Sequence, residues 1–146
     1  MYKCKYFKIS ELVHPDLLKQ HGESKCWMFF DDRLLRFIDW AREKYGSIII
    51  NNSSLKDCGA RKIDSSTGAG LSAHKLWRAF DLHIVSIEKK CGSDKKSKAD
   101  EYKKVREEIL KYKEWEFVNF EISNKGTPIW WLHVDSYNRD KREYNA

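Results

Sequence analysis

Ser72-Ala73-His74-Lys75-Leu76-Trp77-Arg78-Ala79-Phe80-Asp81 is the stretch on which the reading of this chain turns, together with Trp130-Trp131-Leu132-His133-Val134-Asp135 far downstream. Between them they hold two histidines, His74 and His133, and the carboxylates Asp81 and Asp135. Two imidazole nitrogens and one carboxylate oxygen form a donor set for a borderline-soft cation such as Zn²⁺, with a fourth position left for water. Bare spacing leaves a second account open. In it His74 lies in a polar loop, Asp81 caps or pairs with Arg78, and His133 is a half-buried strand residue bonded to a neighbour.

Working outward, Leu71 to Ile87 reads as a short turn or helix leading into a strand, Phe80 to Val85, which carries Asp81 and, two residues on along the same face, His83. Upstream, Asn52 to Gly70 is rich in Ser, Gly, Asp and Lys without a sustained period and reads as a long loop, the kind of segment that often carries function. Before it, Ser47 to Asn51 is a β-branched run between turn formers and reads as a central strand. A helix starts at Asp31 or Asp32, with Leu34, Ile38, Ala41 and Tyr45 on one stripe and Gly46 as its stop. Phe7 to Leu18 forms a lead-in with a short helix, where Ser10 is placed to cap Glu11-Leu12-Val13 before Pro15.

Downstream, Ala99, Tyr102, Val105, Ile109 and Tyr112 recur every three or four residues and predict an amphipathic helix over Lys98 to Lys113. The chain then reads as a hairpin: Glu116 to Ile122, a turn over Ser123 to Thr127, and Ile129 to Asp135. The fold class is α+β, a small and largely antiparallel sheet with flanking helices in a single domain over residues 1–146.

Composition supports one globular unit. A chain of 146 residues is long enough to bury a single core, and it has no repeats, no low-complexity tract and only two prolines. Four scattered cysteines without a Cys-x-x-Cys pair read as reduced thiols. No apolar run is long enough to span a membrane, and the N-terminus lacks the apolar core of a secretory signal, so the expected location is a cytoplasm, or release from one by lysis. The net charge of +6 attracts polyanions in general, and the lysine run from Lys89 to Lys104 reads as a solvated loop and helix face. Nucleic-acid binding has only lysines and aromatics behind it and would require a salt-sensitive affinity.

Ser72-x-His74-x-x-x-x-Ala79-x-Asp81 resembles the signature Ser-x-His-x-x-Gly-x-Ala-x-Asp of the zinc D-Ala-D-Ala carboxypeptidases, the vancomycin-resistance dipeptidases and the phage endolysins. Further segments resemble the phage-type branch in the same order along the chain. They are Phe7 with Glu11-Leu12-Val13, Asp31 to Leu35, Ile50-Asn51-Asn52, Gly59-Ala60-Arg61, Gly68 to Ser72, Glu121, and Trp131 to Asp135. The resemblance covers about Phe7 to Asn138 and implies the zinc D-Ala-D-Ala peptidase fold, shared with Hedgehog signalling domains.

It implies one Zn²⁺ held by His74, Asp81 and His133, an Arg61 fork near the substrate for a peptide carboxylate, and cleavage of peptidoglycan stem peptides by metal-activated water. The bacterial cell-wall peptide is then the expected partner. Several relatives carry the general base three residues before the last histidine ligand, where this chain has Trp130. Glu121, from the opposite arm of the expected hairpin, and Asp135, on the strand face of His133, are the candidate bases, and Asp135 can instead orient a ligand. Trp77 replaces the signature glycine. An alternative is a catalytically inactive, zinc-containing binding or virion-associated structural module of the same fold, which Trp77 and Trp130 favour.

Overall fold

Pro15 opens the first α-helix, α1 (Pro15–His21), at the position where proline costs no helical hydrogen bond, and His14 caps it by accepting the Asp16 amide through Nδ1 at 3.2 Å. This computed structural model describes residues 1–68 and 71–145. Ser10 does not cap: it lies inside a 3₁₀ turn (Ile9–Glu11), and Glu11 reaches back to the Lys8 amide at 2.8 Å. After α2 (Glu23–Phe29), Asp31 caps α3 (Asp32–Tyr45) by accepting the Arg33 amide at 3.0 Å, and Gly46 ends it with φ 82°. Its inner stripe of Leu34, Leu35, Phe37, Ile38 and Ala41 is fully buried.

The expected central strand shrinks to β1 (Ile48–Ile49), and it lies at an edge. The chain leaves the sheet early because Asn51 is recruited elsewhere. Its amide donates to Glu11 O at 2.9 Å, and its side-chain oxygen accepts the amides of Cys58 and Gly59. The central strand is instead β2 (Ala79–Ile84), buried at every position. Phe80, Leu82 and Ile84 enter the core by the period of two, which leaves Asp81 and His83 on the other face. Val85, expected in this strand, begins α4 (Val85–Cys91).

Helix α5 (Lys95–Ile109) starts three residues before its expected bound because Asp94 accepts the amides of Lys96 and Ser97. Lys98 is not solvated. It is buried, with Nζ 2.5 Å from Glu88 Oε2.

The two arms of the expected hairpin do not zip together. Strand β3 (Phe120–Asn124) turns through Lys125 and Gly126, both with positive φ, into the two-residue β4 (Thr127–Pro128). The chain then crosses away, and β5 (Leu132–Asp135) pairs antiparallel with β2. A bridge between Asn119 and Asp135 is what remains of the expected pairing. A last strand, β6 (Glu143–Asn145), lies parallel to β3. The single sheet expected is therefore two three-stranded sheets, β1-β2-β5 and β4-β3-β6. The α+β class stands. Among the described residues the four cysteines are free thiols, and no helix is long and apolar enough to cross a membrane.

Candidate metal centre

Asp81 and His133 are Cα partners in the β2–β5 register, so antiparallel pairing puts the two side chains on the same face and directly opposite each other. His74 arrives from a compact turn just before β2. Lys75 N donates to Ser72 O at 2.9 Å and Arg78 N to Ala73 O at 2.9 Å, so the chain reverses within one helical turn. Trp77 makes that reversal with φ 59°, a left-handed conformation that favours glycine. Here the indole is held by edge contacts with Phe29 and Phe30, centroids 5.1 and 5.0 Å away, outside the site.

Ligand atoms of His74, Asp81 and His133 lie within 4.8 Å of one another, and all three residues are buried. His133 Nδ1 is 2.8 Å from Asp81 Oδ1 and 3.3 Å from His74 Nε2, which is itself 3.4 Å from Asp81 Oδ2. The outer ring nitrogens face acceptors. His74 Nδ1 meets Gly59 O at 2.9 Å, and the nearest acceptor to His133 Nε2 is Asp135 Oδ2, at 3.5 Å a charge contact rather than an aligned hydrogen bond. A carbonyl cannot donate, so His74 Nδ1 carries that ring's hydrogen and turns the lone pair of Nε2 inward. A carboxylate cannot donate either, so His133 Nδ1 donates to Asp81 Oδ1, and a metal ion would take the place of that hydrogen. Two imidazole nitrogens and a carboxylate converging in a buried space form a donor set for a cation, and the carbonyl behind His74 is the kind of contact that orients a metal-ligating imidazole. The group can hold a metal ion.

The electrostatics fit His133 donating to Asp81. Burial alone would raise the Asp81 carboxyl, yet His74 and His133 hold it well below the usual carboxylate range. Burial pulls His74 down, towards the neutral form. Burial also opposes charge on His133, but Asp135 and Asp81 outweigh it and raise this imidazole to about 9.

Arg61 lines the cleft but does not stand free. Its Nη2 donates to Asp81 Oδ2 at 3.0 Å and its Nε to Asp57 O. Trp131 donates Nε1 to Asp81 Oδ1 at 3.1 Å. It was missed as a functional residue, although the period of two along Trp131, His133 and Asp135 could have placed it on this face.

Asp135 is completely buried and does not line the cleft. Its oxygens accept from Asn119 Nδ2 at 3.1 Å, Arg139 Nε at 3.2 Å and the Tyr144 hydroxyl at 2.5 Å. It thus sits behind His133 and is not available as a base, which corrects that half of the expectation. Sequence reasoning had no signal for Arg139 or Tyr144, which meet Asp135 only through β6 and the segment before it.

Glu121 stands on β3 at the cleft, half-buried, and among the described residues its side chain makes no hydrogen bond or ion pair. Burial raises its carboxyl above the ordinary glutamate value; His133 works against that, while Asp81 and Asp135 reinforce it. Trp130 faces away, its ring 5.0 Å from Lys98 Nζ. His83 also lies outside the cleft, between Cys58 Sγ at 3.8 Å and Glu88 Oε1 at 3.5 Å.

The cleft encloses about 390 Å³. Residues Ala69 and Gly70, inside the resembling segment Gly68 to Ser72, lie outside the described residues. Comparison with protein-family models, with curated proteins and with solved structures finds no match to this chain.

Proposed function

We propose that the chain is a zinc metallopeptidase that cleaves peptidoglycan stem peptides, as a carboxypeptidase or endopeptidase. The observation that carries this reading is the convergence of His74 Nε2, Asp81 and His133 Nδ1 at the wall of a cleft that also presents the unpaired carboxylate of Glu121. The resemblance of Ser72 to Asp81 to the peptidase signature supplies the substrate class.

His74, Asp81 and His133 would hold a zinc ion, which would supply a Lewis acid for the scissile carbonyl and lower the pKa of its water towards neutrality. Gly59 O orients the His74 ring, and Asp135 sets a carboxylate behind His133 Nε2. Arg61 and Trp131 each occupy one oxygen of Asp81, which limits how that carboxylate can turn. Glu121 takes the proton from the attacking water and returns it to the leaving amine; a carboxyl raised by burial is suited to both halves of that exchange. Neither Trp77 nor Trp130 enters the cleft, so neither blocks it.

The test is release of new amino groups from purified peptidoglycan by zinc-loaded wild type, His133→Ala and Glu121→Ala. Wild type should hydrolyse, His133→Ala should lose metal and activity together, and Glu121→Ala should keep the metal with activity down at least about 100-fold. A zinc-loaded wild type that leaves peptidoglycan intact would contradict the enzyme reading and favour a binding module.

A further inference from the structure

The β3–β4 hairpin has two sides. Glu121 and Asn124 line the metal cleft, whereas Ile122 and Ser123 line a second, larger groove of about 750 Å³. Its opposite wall is one face of α5. Lys96, Ala99, Lys103 and Arg106 follow one another three or four residues apart, with Lys95, Asp100 and Glu107 beside them, and the small Ala99 leaves room between the longer side chains. Trp130, Ile122 and Pro128 give the groove an apolar side, and Lys95 Nζ stands 5.3 Å from the Trp130 ring centroid.

Arg106 is the residue that needs explaining. It is only 6% exposed, yet its Nε and Nη1 have no hydrogen-bond partner among the described residues. Glu143 Oε1 comes to 3.6 Å from Nε, beyond hydrogen-bond range. A guanidinium removed from water without bonded acceptors is costly to keep, and an oxyanion is the group its planar fork matches. The carboxylates that also line the groove, Asp100, Glu107 and Glu143, are fewer than its cations Lys95, Lys96, Lys103 and Arg106, so the groove favours negative charge. Its volume lies within the usual range for a small organic ligand.

We propose that this groove binds an organic anion, an apolar ring or chain carrying a carboxylate or phosphate, with the oxyanion received by Arg106 and Lys103 and the apolar body lying along Trp130 and Ile122. The site is separate from the metal centre and does not depend on how that centre is read. It gives part of the lysine run a role in place of a merely solvated face.

The test is a titration of the full chain with phenyl phosphate, benzoate and inorganic phosphate, followed by ¹H–¹⁵N NMR. Phenyl phosphate or benzoate should shift the Trp130 indole N–H and the amides of Ile122 and Lys103 saturably, with a dissociation constant at or below about 1 mM. The stronger of the two probes identifies the group. The Trp131 indole N–H should stay in place. Arg106→Met should weaken binding at least about tenfold and the exposed-site variant Lys103→Glu about threefold or more. The proposal is overturned if neither organic probe saturates, if inorganic phosphate binds as tightly as phenyl phosphate, or if Lys103→Glu binds like wild type. Arg106→Met with wild-type affinity overturns it equally.

Discussion

The cleft of the candidate metal centre and the groove are separated by one hairpin and differ in character. In the cleft, His74, His133 and Asp81 turn two ring nitrogens and a carboxylate towards one another, bonded among themselves. In the groove, Arg106 holds donors with no bonded acceptor. The first can hold a cation, and the second has the charge to suit an anion. Strand β3 keeps them apart by sending Glu121 to one side and Ile122 to the other. Buried polar groups are normally satisfied, so the unbonded Arg106 nitrogens call for an explanation that the hydrogen-bonded cluster of the cleft does not need.

The comparison can be broken most severely at Gly59, whose carbonyl fixes the His74 ring. A Cβ there would meet Leu12 O at 1.9 Å, a backbone atom that cannot step aside. Gly59→Ala should cost about 3 kcal/mol or more, read from the urea midpoint, with metal affinity falling in any fraction that still folds. A variant as stable as wild type would mean that the cradle behind His74 is soft.

Asp135→Asn sharpens the same side. It keeps the shape behind His133 but removes the charge, and zinc affinity by competition with a chelator should fall about 10- to 100-fold. An unchanged affinity would reduce Asp135 to a packing residue.

On the groove side the sign reverses. Arg106→Met replaces a buried, unbonded cation by an apolar chain of similar reach, so thermal unfolding should show an unchanged or higher stability, by up to about 1 kcal/mol. A loss of 2 kcal/mol or more, on the order of a broken buried pair, would show that Glu143 already satisfies the charge.

The smallest effect is expected next to the groove, at Glu88, where burial opposes ionisation but Lys98 and Tyr102 hold the carboxyl below its ordinary value of 4.5. A lowered carboxylate contributes stability that is present above 4.5 and is lost as pH falls through the lower, folded-state value. Glu88→Gln should therefore be less stable than wild type at pH 7 by about 1 kcal/mol, with the gap closing below pH 4.5. A gap that persists at pH 3 would assign the effect to packing.

What could be read from the sequence follows the range of the forces involved. Helix α3 was legible at both ends because Asp31 and Gly46 act within one turn of where they stand. The bound of α5 slipped because Asp94 caps it from outside the apolar period. The partner of β5 was not legible. A short loop made β3 the obvious neighbour, but the burial of Leu132 and Val134 is satisfied against β2, some fifty residues earlier.

At the site, His74 and Asp81 were visible through the resembling signature and His133 through the segment Trp131 to Asp135, and the period of two placed Asp135 beside His133. The Arg61–Asp81 pair was not visible, since it joins the long loop to β2 through a contact that no local pattern encodes. Trp130 reads as a lost catalytic position in sequence and is, in space, a wall of the other groove.

The most direct test of the central claim is the metal content of wild type and His133→Ala, purified identically, equilibrated with zinc and freed of excess. The account predicts about one zinc per wild-type chain and a near-complete loss in the folded variant. A wild type that emerges without metal, or a variant that retains it in full, would contradict the assignment of His74, Asp81 and His133 as the metal site.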